Sequence, residues 1–99
     1  MKSIILGSEG LGDTSTIDEK QIKFCKDWIS KWLTPRKTIN TKRGSYNLKH
    51  MVEIDLKEKG KSIYISNGAF IKAAIELDYK YKKNKKNAYF NVSLVNLKN

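Results

Sequence analysis

The sequence predicts an α+β domain, three helices followed by a C-terminal β-hairpin. Three observations lead there. Apolar residues recur at steps of three and four in three stretches between Ile17 and Asp78, the period of a helix with one buried face. Apolar and polar residues then alternate from Ala88 to Leu94, the period of a half-buried strand. A Lys- and Asn-rich turn joins that run to a second alternating one, the pattern of a hairpin. With 99 residues the chain has room for one domain and one core.

Each element has a local reason. Gly-rich residues 7–16 show no periodicity and read as a flexible lead-in, after a short strand at 3–6. They lack the Lys-Ser/Thr pair that a phosphate loop needs. The domain itself is placed at 17–99. Its first helix begins near Ile17, with Thr16 as N-cap and Glu19 at capping-box spacing. Ile22, Cys25, Ile29 and Trp32 form its stripe, widened by Trp28 and Leu33, and Pro35 ends it. Residues 36–44 read as a basic loop. Ser45 caps a second helix with Leu48, Met51, Val52 and Leu56 inward, stopped at Lys59-Gly60-Lys61. Ile63-Tyr64-Ile65 is a short β-favouring run. Ser66 or Asn67 caps a third helix that buries Phe70, Ala73, Ala74 and Leu77. Tyr79–Lys82 and Ala88–Leu94 are the hairpin strands.

Charge decides what function to look for. Lys plus Arg is 20 and Asp plus Glu is 10, a net +10. The hydrophobic fraction, 39%, is too high for a disordered polycation. Such a charge repels itself, so an anionic partner is expected. The excess is local. Residues 1–34 sum to zero and residues 51–78 to −1, whereas residues 35–50 carry +5 and residues 79–99 carry +6 without a single acid. Two basic segments therefore flank a neutral one.

Several classes drop out. A single Cys allows neither an internal disulfide nor a cysteine zinc site, and no cofactor is expected. Apolar runs are far shorter than the ~20 residues of a membrane span. The run in Met1–Leu6 is too short for a secretory signal, so a cytoplasmic location with a reduced, buried thiol is expected. His50 has no nucleophile beside it, and Glu53, Asp55 and Glu58 read as helix-surface charges, so no enzyme is expected.

Helices followed by a basic hairpin is the layout of a winged helix-turn-helix domain, in which the third helix enters a groove and the hairpin grips the backbone. The residues expected to contact nucleic acid are Arg36, Lys37, Lys42, Arg43, Lys49, Asn67, Lys72, Lys80, Lys82, Lys83, Lys85 and Lys86. Tyr81 and Tyr89, beside the basic tip, are candidates for base stacking. Duplex DNA is the favoured partner. A dimer face would lie on the Trp-rich first helix.

Three stretches add context: Gly44–Glu53 (GSYNLKHMVE), Tyr64–Ala74 (YISNGAFIKAA) and Asn87–Ser93 (NAYFNVS). They resemble a family of small, mostly uncharacterised proteins of bacterial plasmids, conjugative elements and prophages. The resemblance covers about half the chain and departs at Lys57–Ser62, which is longer and more basic. It implies a regulator of a mobile element. The alternative it implies is an anti-defence (anti-CRISPR) inhibitor that binds an RNA-guided nuclease complex, at the effector or its guide RNA.

Overall fold

The computed structural model describes residues 4–94. Its elements are β1 (Leu6–Gly7), β2 (Gly10–Leu11), α1 (Glu19–Trp32), β3 (Thr34–Asn40), α2 (Ser45–Glu58), α3 (Asn67–Glu76), β4 (Tyr81–Asn84) and β5 (Asn87–Ser93). β1 and β2 form a small antiparallel ribbon. β3, β5 and β4 form an antiparallel sheet in that order, with β5 central.

This corrects the predicted order. The helices are interleaved with strands, as β-β-α-β-α-α-β-β, and do not precede one terminal hairpin. The basic loop expected at 36–44 is largely β3. It escaped notice because Thr34 to Thr38 are all exposed, so an edge strand here has no alternating apolar face to read. Pro35 sits on that edge, where its missing N–H costs no interior ladder bond. The Gly-rich lead-in contains the ordered ribbon β1–β2, whose Leu11 is in the core. Conversely, Ile63–Ile65 forms no strand.

The helical expectations hold with small shifts. α1 starts at Glu19, because the Asp18 carboxylate, not Thr16, caps it by accepting from Lys20 N at 2.7 Å. Gly44 caps α2, so Ser45 is the first helical residue, and its buried hydroxyl accepts from Ala88 N at 3.0 Å. Ser66 caps α3, its Oγ accepting from Ala69 N at 3.1 Å. Along β5, Ala88, Phe90 and Val92 point inward as the alternation required. A line of rings joins the layers: Trp28 on α1 meets Phe70 on α3 edge-on at 6.2 Å, and Phe70 meets Phe90 on β5 at 6.1 Å.

α3 is the centre of the molecule. Asn67 to Ile71, Ala73 and Ala74 are all buried. Its first turn lies under the β1–β2 ribbon, where Gly68 N donates to Ser8 O at 3.0 Å. A Cβ at Gly68 would fall inside the van der Waals shell of the Gly7 carbonyl. Gly10, at φ +125°, likewise leaves room for the Lys86 carbonyl. A groove-reading helix must present an open face, and α3 has none at its N-terminal half. Together with the element order, this removes the winged helix-turn-helix-like layout.

Cys25 is fully buried on α1. Burial, with the Glu53 carboxylate nearby, pushes its thiol up to about 12.

Two outcomes follow. Gly68→Ala gains helix propensity of about 1 kcal/mol but must displace backbone, so a net loss of about 1–2 kcal/mol is expected in denaturant unfolding. A thiol-reactive disulfide reagent at about pH 8 should label Cys25 only when the chain is unfolded.

Candidate nucleic-acid interface

The pairing of β3 with β5 brings the two basic segments together. Thr34 lies opposite Ser93, Pro35 opposite Val92 and Asn40 opposite Phe90. Between Pro35 and Asn40 the register breaks, and residues 36–39 bulge from the edge. Arg36 closes the bulge, its Nε donating to Thr38 O at 2.9 Å and a terminal nitrogen to Ile39 O at 3.3 Å. Asn91 laces the sheet at that level. Its Nδ2 donates to Arg36 O at 3.1 Å and its Oδ1 accepts from Lys80 N at 2.7 Å. Sequence reasoning missed Asn91; the signal was an Asn, a poor strand former, inside an otherwise regular strand.

The hairpin tip is held just as firmly. Lys85 takes a left-handed φ of 57° in the turn between β4 and β5. Lys86 O accepts from Leu11 N at 2.8 Å and from Asn67 Nδ2 at 3.3 Å. The tip's backbone is thus tied to the ribbon and to α3, while the side chains of Lys82, Lys83, Lys85 and Lys86 are exposed. Beyond β3, Asn40 turns the chain: its Nδ2 donates to Val92 O at 3.1 Å and its Oδ1 accepts from Lys42 N at 3.0 Å. Arg43 donates to Asn47 Oδ1 at 2.9 Å.

The distribution of acids separates this surface from the helices, each of which carries carboxylates of its own. On the helices Lys26 and Lys72 pair with Glu76 and Lys49 with Glu53, and Lys59, the C-cap of α2, pairs with Asp55, while among the described residues Lys20, Lys23, Lys31 and Lys57 make no ion pair. Residues 34–50 and 79–94 contain no carboxylate. Lys37, Lys42, Lys80, Lys82, Lys83, Lys85 and Lys86 are exposed and, among the described residues, meet no carboxylate. Unpaired ammonium groups on a braced sheet make a fixed positive field able to bind a polyanion.

Other predicted contacts are placed elsewhere. Lys49 is 3% exposed, with its ammonium 3.3 Å from both Glu53 oxygens, so it does not reach a phosphate. Asn67 is buried, and its Nδ2 is spent on Glu9 O, Lys86 O and Asn87 Oδ1. Lys72, on α3, faces Glu76 at 4.0 Å. Tyr81, opposite Phe90, shares the helix-facing side and packs against the core. Tyr89 is half-buried; its hydroxyl accepts from Asn84 Nδ2 at 3.1 Å and its ring lies against Gly44. That contact joins the hairpin to the basic loop, so Tyr89 acts as a brace here. Burial raises the Tyr79 hydroxyl above its ordinary value.

No protein-family profile, curated protein or solved structure matches the chain. No described helix is long and apolar enough to cross a membrane.

Replacing Lys49 by Met should separate its role from that of the sheet lysines. Loss of its bonds to Glu53 is expected to cost about 1–3 kcal/mol of stability, read by denaturant unfolding. The salt dependence of nucleic-acid binding should stay as in the parent protein.

Proposed function

We propose that the protein is a non-enzymatic, DNA-binding regulator that grips the phosphate backbone, duplex DNA first, through the carboxylate-free sheet and the loop after β3. One observation carries this reading: the sheet, tip and loop lysines lie in two segments, 34–50 and 79–94, that contain no carboxylate, whereas each helix carries acids among its lysines. A merely solubilising charge would not be sorted in this way. Duplex DNA is favoured over a single strand because it carries one charge per ~1.7 Å of axis, about twice the density of one strand, a match for a compact basic face.

With the N-terminal half of α3 enclosed, the helix expected to read bases has no open face there, so the binding is directed at phosphates. Such contacts position a protein on nucleic acid without choosing a sequence.

Affinity for a blunt duplex should then depend on salt. About five phosphate contacts give a log–log slope of about −4.5, or roughly 500-fold weaker binding between about 50 and about 200 mM salt. Combining Lys83→Glu, Lys85→Glu and Lys86→Glu should abolish binding while leaving the thermal melt unchanged, because all three side chains are exposed. Undiminished binding by that variant, in a gel-shift titration, would sink the reading.

A further inference from the structure

Outside the sheet, the most unusual surface lies on α2. Tyr46 and Tyr64 are 53% and 63% exposed, the exposed aromatic rings among the described residues. Both lie over one ammonium, with Lys49 Nζ 5.0 Å from the Tyr46 ring centre and 4.7 Å from that of Tyr64. Lys49 itself is almost wholly buried and held by Glu53. The same carboxylate receives Ile65 N at 2.9 Å and lies 2.9 Å from His50 Nδ1. The His50 ring meets Tyr46 edge-on, at 4.6 Å between ring centres.

A buried lysine is costly to desolvate, and this one reaches no external anion. What it does achieve is to fix two rings from their protein side while their remaining surface stays wet. Rigid, exposed aromatic faces suit ligands with a π-face of their own. Their position selects which ligand. Tyr46 follows Gly44, the residue that Tyr89 touches, and precedes Asn47, which bonds Arg43. The Tyr46 ring therefore begins where the basic loop ends, and Lys49 joins the Tyr64 ring to it.

We propose that Tyr46 and Tyr64 form a stacking platform for an unpaired base, so that the preferred ligand is a duplex bearing a single-stranded extension. The inference rests on the backbone-binding reading above and names the substrate class within it. Phosphates lie on the sheet and loop, and the first unpaired base lies on the tyrosines.

The test compares a blunt duplex with the same duplex carrying a short single-stranded tail that contains 2-aminopurine, whose fluorescence falls on stacking. The tail should tighten binding about tenfold and its fluorescence should be quenched. Tyr46→Ala with Tyr64→Ala should remove both effects and leave blunt-duplex binding intact, whereas Tyr46→Phe with Tyr64→Phe should keep them. Quenching by the parent protein requires no substitution, so the test stands even where a variant folds poorly. Blunt-duplex binding with neither a gain nor quenching from the tail overturns the platform alone. Failure to bind either duplex overturns the platform together with the backbone reading.

Discussion

The antiparallel pairing of β3 with β5 is the constraint on which the rest of this surface depends. It closes a long loop that contains two helices, an entropic cost that must be recovered from burial. The recovery comes from the other side of β5, where Ala88, Phe90 and Val92 are buried against the helices. The pairing also sets the charge pattern. It places the two basic segments in one sheet, with Arg36 and Lys37 on the β3 edge, Lys82 and Lys83 on the β4 edge and the uncharged β5 between them. Asn91 and the Arg36 bulge then hold the edge in a defined shape.

The second constraint is the enclosure of α3. Small residues make it possible: Gly68 admits the ribbon, while Ala69, Ala73 and Ala74 are buried where helices and strands approach closely. Enclosure turns Asn67 from a potential base reader into a structural clip, joined to Glu9, Lys86 and Asn87. It thereby anchors the basic tip. The residue with the side chain best suited to adenine is the one that braces the lysine-bearing tip. The ribbon's own turn is held at Asp13, whose carboxylate accepts from the Ser15 hydroxyl and from Glu9 N. Those bonds keep its carboxyl below the ordinary value.

Much of the fold was legible. The stripes Ile22–Cys25–Ile29, Leu48–Val52–Leu56 and Phe70–Ala73–Ala74 mark buried helix faces, and the alternation in β5 marks its inward side. Two kinds of element were not legible. β3 is defined by its partner and exposes most of its side chains, so no periodicity betrays it. The β1–β2 ribbon is two residues per strand and rich in Gly, too short for any period. Misplacing these two elements produced the wrong order of helices and strands. Net charge by segment singles out Lys37, Lys42, Lys80, Lys82, Lys83, Lys85 and Lys86, which are exposed and, among the described residues, pair with no carboxylate. It failed for Lys49, because sequence position alone does not tell a surface lysine from one folded under two tyrosines.

The most direct test of the central claim is amide chemical-shift mapping of the protein during titration with a blunt DNA duplex. The account predicts that the shifts gather on residues 36–44 and 80–89, the two segments that β3–β5 pairing unites. The amides of Gly68 to Glu76 in α3 should stay in place. Shifts concentrated on α3, with the sheet and its tip silent, would contradict it.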